Sequence, residues 1–228
     1  MTQILLKLRN SLLSNHQTLL NASLTTLIVV HFSGLIGISS AYQAWFLDFT
    51  WLNLSLTVLL LLINTTDLNA KVLAAFLLVA AIGFLMEALG VATGAIFGSY
   101  YYGETLGLKF FGVPLTIALN WAALAFAAAF LVRRLRIPWA FQAVVGGLIP
   151  VGLDSLMEPL CHILDFWYWK DNIVPLENYI VWYLLGTLFV GFFIKVVEGH
   201  HNRLAVYYLV ILVVFFAALN ISHQLITL

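Results

Sequence analysis

At 228 residues, with 63% hydrophobic and 9% charged side chains and a mean hydropathy of +1.01, the chain has too few polar groups to cover a water-soluble surface. Ten basic and ten acidic residues cancel to a formal net charge of zero, which argues against nucleic acid or an anionic surface as partner. What is left is an all-α polytopic transmembrane helix bundle.

The first stretch, MTQILLKLRNSLLSNHQTLL, places Lys7 and Arg9 ahead of polar residues rather than a long apolar run. It reads as an uncleaved cytoplasmic lead, a short amphipathic helix rather than a signal peptide. Apolar windows close to the ~20 residues that cross a bilayer then predict about seven spans, at about 19–41, 45–63, 72–97, 113–132, 138–161, 179–197 and 204–221. The first two are joined by a very short stretch around Tyr42 to Trp45. No internal repeat or linker interrupts the pattern, so residues 1–228 form a single integral-membrane helical domain.

The basic residues test this count. Lys7, Arg9, Lys71, Arg133, Arg134, Arg136, Lys195 and Arg203 fall on one side, and Lys109 and Lys170 on the other. By the positive-inside rule the N-terminus is cytoplasmic and the C-terminus is outside. The single cysteine, Cys161, excludes an internal disulfide and a cysteine-rich metal site. The expected address is the cell (inner) membrane, crossed several times.

Within these apolar spans stand three acids, Glu87, Asp154 and Glu158, with no lysine or arginine near them in sequence. An acid at membrane depth is costly and marks a functional site. Desolvation disfavours an ionised carboxylate, which makes the three candidate proton donors. In the third span Gly83, Glu87, Gly90, Gly94 and Gly98 recur at intervals of four, three, four and four, which predicts one shared helix face turned toward a neighbouring helix. The plain alternative is a packing ridge on which Glu87 only hydrogen-bonds a neighbour.

In the fifth span Gly147, Pro150, Asp154, Glu158 and His162 form a second stripe. Pro159 lacks an N–H and clashes with the preceding turn, so the helix is expected to kink or end between Ser155 and Glu158. Two acids one turn apart repel if both ionise, and a pair sharing a proton is a plausible acid catalyst. A metal site built from these acids and His162 is the alternative, but carboxylate-bridged di-iron bundles use Glu-x-x-His on two helices, whereas Glu-x-x-x-His occurs here once. No metal and no cofactor is expected. His31, Asn120 and the pair Glu177-Asn178 are polar residues of second rank, best explained as interhelical hydrogen bonds. A retinal protein is excluded, because the last span has no lysine for a Schiff base.

Two non-cytoplasmic connections, GSYYYGETLGLKFFGVP and CHILDFWYWKDNIVPLEN, are rich in aromatics and read either as an interfacial belt or as site walls. The first lies in a longer run, Met86 to Trp121, with the pattern Glu-x-x-Gly-x-x-x-Gly-x-x-x-Gly-x-Tyr-x-Tyr followed by Leu-Gly, Gly-Val-Pro and a tryptophan. The second belongs to Gly152 to Leu185, which opens on Asp-x-x-Met-Glu-Pro. Together they resemble the integral-membrane carotenoid biosynthesis family, whose characterised members are hydratases of acyclic carotenoid ends, including those of the bacterioruberin pathway. The family pattern has Asp where this chain has Glu158, and a Pro-x-x-Asn-like entry to the next span where this chain has Pro175-Leu176-Glu177-Asn178.

The resemblance implies a hydratase that adds water across the terminal C=C of a linear (psi) carotenoid end, such as lycopene or gamma-carotene, to give a tertiary alcohol. Its partners would be a linear carotenoid, the lipid bilayer and other enzymes of the pathway. Asp154 is the expected leading proton donor, Glu158 its pair and Glu87 a third carboxylate closing the site. Tyr100, Tyr102, Trp121, Phe166, Trp167, Trp169 and Trp182 supply rings for the cation, with Asn120, Glu177 and Asn178 as polar contacts. A membrane lycopene-type cyclase, a proton-coupled carrier and a non-catalytic scaffold are the rival readings.

Overall fold

The structure, a computed structural model, describes the backbone of residues 2–226 and the side chains of residues 15–224. The sequence of elements is α1 (Thr2–Ile38), α2 (Gln43–Leu47), α3 (Thr50–Ile63), α4 (Ala70–Thr93), β1 (Tyr100–Tyr102), β2 (Lys109–Phe110), β3 (Val113–Pro114), α5 (Leu115–Val132), α6 (Trp139–Met157), β4 (Trp167–Trp169), α7 (Leu176–Val196) and α8 (Arg203–Ile226). A 3-10 turn, Glu158–Leu160, extends α6, and another, Lys170–Asn172, follows β4.

Among the described residues seven stretches are long and apolar enough to cross a membrane, the second formed by α2 and α3 together (Gln43–Ile63). This is the expected count, with ends shifted by a few residues. The protein is a multi-pass membrane protein. The lead is helical and continuous with the first span, and its predicted amphipathic character lies outside the described side chains.

Helix α5 is the axis of the bundle, 72% of its span buried, with α4, α6, α7 and α8 packed around it. Its sequence explains the position, since the run Ala122 to Phe130 is six alanines interspersed with Leu124, Phe126 and Phe130, and every member is buried. Alanine keeps neighbouring backbones close while Leu124, Phe126 and Phe130 fill the gaps between them. Without a hydrophobic force between helices in lipid, this close contact is what holds the helices together.

The two ends of the bundle differ. At the end carrying Arg133, Arg134 and Arg203, Asn202 Nδ2 donates to Leu61 O and Thr65 Oγ1 at 2.7 and 2.9 Å, and Thr66 N donates to His201 O at 3.0 Å. These bonds tie the short connections of the basic end together. At the opposite end the two aromatic connections, expected as loops, fold onto one another. β1 and β4 pair antiparallel, with Tyr100 opposite Trp169, Tyr101 opposite Tyr168 and Tyr102 opposite Trp167. A small hairpin, β2 with β3, turns through Phe111 and Gly112, both at positive φ.

One expectation from the glycine spacing is corrected. Helix α4 ends at Thr93, with Gly94 as a left-handed cap at φ 66°, so Gly94 and Gly98 do not continue the face of Gly83, Glu87 and Gly90. The end expected at Pro159 is observed: α6 stops at Met157 and gives way to the 3-10 turn.

Candidate active site

The three acids converge on one cavity near the end of the bundle closed by the β1–β4 pair, and all three are buried. Glu87 comes from the last turns of α4, Asp154 from the last turn of α6 and Glu158 from the 3-10 turn that follows. The glycines beside Glu87 admit its partners. A Cβ on Gly83 would lie 2.8 Å from Cβ and Cγ of Trp121, and one on Gly90 would lie 3.3 Å from the Tyr100 hydroxyl. Trp121 can therefore lie against α4 one turn before Glu87, and Tyr100 reaches it from one turn beyond.

Glu87 accepts hydrogen bonds from three neutral donors. Trp121 Nε1 donates to Oε1 at 2.8 Å, Tyr102 Oη donates to Oε2 at 2.9 Å, and Tyr100 Oη donates to the same oxygen. Burial first, then the Glu87 charge, push the pKa values of Tyr100 and Tyr102 upward, so both phenols remain donors at ordinary pH.

Glu158 is served in the same way from β4. Trp169 Nε1 donates to Oε2 at 2.8 Å and Trp167 Nε1 at 3.3 Å, while Asn178 Nδ2 approaches Oε1 at 3.3 Å. Asp154 differs. Asn178 Nδ2 donates to its Oδ2 at 2.9 Å, and no side chain or backbone donor among the described residues reaches Oδ1. Two acids are thus saturated with donors, and the third presents an oxygen that no protein group occupies. Among the described residues no group of three or more His, Cys, Asp or Glu side chains is placed to hold a metal ion.

The cavity measures about 350 Å³, room for roughly a dozen heavy atoms at the ~30 Å³ of a liquid water molecule. Its lining is mostly apolar and aromatic. Of the rings expected from the sequence, Tyr100, Tyr102, Phe166, Trp167, Trp169 and Trp182 line it, as do Asn120 and Asn178. Two expectations are corrected. Trp121 does not line the cavity but lies behind Glu87, stacked on Trp182 with centroids 4.2 Å apart, because α5 presents Ile117, Asn120 and Leu124 to the space. Glu177 is exposed in the first turn of α7 and does not line the cavity, while Asn178, one residue on, turns inward. His162 of the predicted stripe is likewise exposed, because the 3-10 turn breaks the helical register.

The terminal spans contribute more than their sequences indicated. His31 of α1 and Asn53 and Thr57 of α3 reach the cavity, with Phe215 and Phe216 of α8. The i, i+4 spacing of Asn53 and Thr57 in an apolar span is the signal that points to a shared polar face. His31 bonds within its own helix, its Nδ1 lying 2.8 Å from Leu27 O, rather than across to a neighbour. Between α1 and α2–α3 the lining includes Trp45, Phe49 and Leu52, all exposed on the outer surface of the bundle, so the cavity reaches the lipid-facing side there.

A carotenoid biosynthesis protein family model matches residues 48–227, from the second span to the last. The chain belongs to the carotenoid biosynthesis protein family. No curated protein sequence and no solved structure matches it. The family match takes in α3 and α8, which also wall the cavity, and every acid of the site. A role in carotenoid biosynthesis follows for a protein whose buried acids face an apolar space open toward lipid.

Gly83 offers a check on this packing. Ala at that position gains up to ~1 kcal/mol of helix propensity, but its methyl overlaps the stiff Cβ–Cγ stem of Trp121, and overpacking of this kind costs about 1–3 kcal/mol. Gly83→Ala is expected to lower the thermal midpoint in detergent and to pull Trp121 from Glu87. An unchanged or raised midpoint would contradict the packing described.

Proposed function

We propose that this family member hydrates the terminal trisubstituted alkene of an acyclic carotenoid end, with Asp154 as proton donor. The observation that carries the reading is the unequal hydrogen bonding of the acids: Glu87 and Glu158 face neutral donors on both oxygens, whereas Asp154 Oδ1 has no protein partner and Asp154 lines the cavity. A carboxylate that accepts several hydrogen bonds is favoured in its charged form, and two charges one turn apart repel, so a single proton on the two acids, which Asn178 Nδ2 bridges, is assigned to Asp154.

The Asp154 carboxyl gives its proton to the less substituted carbon of the alkene, leaving a tertiary carbocation on the other. The faces of Trp167, Trp169 and Trp182, with the Glu158 carboxylate and the Asp154 carboxylate left by the transfer, stabilise that cation, each ring by about 1–2 kcal/mol when desolvated. A water adds to the cation and loses a proton to the Asp154 carboxylate, which restores the starting state. Proton and water balance over the cycle, with no redox change. The small cavity takes one end of the polyene, and the gap beside Trp45 and Phe49 lets the rest of the chain remain in lipid.

The test is expression in cells that make lycopene or gamma-carotene, followed by chromatography and mass analysis of the pigments. The expected product is one water heavier per modified end. A product of unchanged mass with a ring would mean a cyclase, and unchanged pigment, under conditions where a known hydratase works, would overturn the enzyme reading.

The proposed orientation puts the acid cluster toward the non-cytoplasmic face, because Lys109 and Lys170 are the basic residues of that end and the other eight belong to the opposite side. Cysteines introduced at Glu104 and Lys170, both exposed, should react with an impermeant reagent from outside the cell. Reaction from the cytoplasmic side alone would reverse the assignment.

A further inference from the structure

Behind Glu158 lies a second crevice of about 500 Å³, lined by fewer residues than the apolar cavity. Its rim carries Ser155, Pro159, His162 and Asn172, all exposed, and its floor carries Cys161, Tyr179 and the back of Glu158 and Trp169. Glu158 and Trp169 line both spaces, so they form the wall between them. The crevice is less apolar than the cavity. Tyr179 brings a hydroxyl, Asn172 an amide and His162 an imidazole, and Pro159, having no N–H, leaves the carbonyl of Ser155 without its helical donor. Polar groups at a broken helix end at membrane depth persist where water reaches them.

We propose that this crevice is the route by which water reaches the acid pair, entering beside His162 and Asn172 and meeting Glu158 from the side opposite the carotenoid. The inference rests on the hydratase reading for its purpose and on the two cavities for its geometry. Hydration needs water at one face of the carbocation, yet the substrate space is walled by rings and opens toward lipid. A separate approach bearing polar groups meets that need without passing the lipid-facing opening. Glu158, which accepts from the Trp167 and Trp169 indoles, is then the gate group: the Trp169–Glu158 bond, 2.8 Å long, opens for a water to pass.

The test uses water as its own probe. Radiolytic hydroxyl-radical footprinting of the full chain in lipid nanodiscs, read by peptide mass spectrometry, reports which side chains water touches. Cys161, the single cysteine, lies on the crevice floor. Burial, then the Glu158 carboxylate, push its thiol up to about 12, so it stays a thiol and a thiolate-selective reagent would under-read it.

Relative to the unfolded chain, Cys161 should oxidise faster than Trp121, which is buried and lines neither space. Ser155→Phe and His162→Trp, both at exposed rim positions, should each cut Cys161 oxidation several-fold with Trp121 unchanged. The same two variants should lower kcat for hydration and leave KM for the carotenoid near its wild-type value. Cys161 oxidising no faster than Trp121, or oxidation indifferent to both fillers, overturns the water route. A variant that misfolds is recognised by oxidation of Trp121, and the other then decides. If wild type yields no hydrated pigment, the hydratase reading falls, while the footprint still answers whether water reaches Glu158.

Discussion

Replacing Asp154 by asparagine is expected to abolish hydrated product while leaving the bundle folded. The amide matches the carboxyl in shape and can still accept from Asn178 Nδ2, which lies 2.9 Å from Oδ2 in the wild type, and its own N–H can turn toward Glu158. What it lacks is a proton acidic enough to transfer. General acid catalysis contributes about 10²-fold to 10⁴-fold, and protonation of an unactivated alkene has no other donor in this cavity with a free oxygen, so the fall should be at least about 10²-fold. Pigment analysis measures it, and a thermal melt in detergent confirms that the variant is folded. Hydrated product within a few-fold of wild type would remove Asp154 from the role of donor and return the question to Glu87 and Glu158. A scaffold protein would give unchanged pigment for wild type and variant alike.

The second large effect is expected at Asp165, a residue outside the cavity. Its carboxylate accepts from Glu104 N at 2.7 Å and from Tyr168 Oη at 2.8 Å, and so ties the first aromatic connection to the second. Its hydrogen bond and charge push the Tyr168 hydroxyl up to about 12, so this link is present at neutral pH and is lost only as pH rises through that strongly alkaline value. Lys109 braces the same lid, donating to Tyr102 O and to Glu104 Oε1, both at 2.8 Å. The β1–β4 pair it secures delivers both phenols to Glu87 and both indoles to Glu158.

Asp165→Ala leaves those donors in place but unmoored. A misplacement of about 1 Å in a catalytic constellation costs up to roughly 10²-fold, so hydration should fall roughly tenfold or more, with little change in the melting of the helices. Asp165→Asn, which keeps one acceptor and can donate to Tyr168, should recover part of the loss. A variant with wild-type turnover would show that the lid merely covers the site and does not position its donors.

Both predictions depend on contacts at long separation in the chain, and that separation divides what was legible from what was not. The seven spans could be read directly, because a bilayer demands about 20 apolar residues per crossing whatever the neighbours do. Pro159 announced the end of α6 for an equally local reason. The spacing of the glycines around Glu87 predicts a close-packing face, which holds for Gly83 and Gly90. The same reading carried the face too far, since spacing alone does not show that Gly94 caps the helix at positive φ.

At α5 the ambiguity was rotational. Asn120 and Trp121 are neighbours, and a span buried almost all round carries no apolar stripe to say which of them turns to the cavity. The strands were illegible for a different reason. Three residues in each of two loops carry no periodicity, and their pairing joins Tyr100 to Trp169 across the whole of α5 and α6.

The sequence by itself determined that this is a membrane bundle with three acids out of place in lipid, because solvation penalties depend on residue type and position in a span, not on partners. It also carried the family resemblance that the family match over residues 48–227 established. Only the tertiary structure decided that the acids share one cavity, that indole, phenol and amide donors reach both oxygens of Glu87 and Glu158, and that of these three acids Asp154 keeps an oxygen with no donor among the described residues. Those distinctions arise from hydrogen-bond geometry between α4, α6, α7 and the β1–β4 lid, which exists only once the helices are packed.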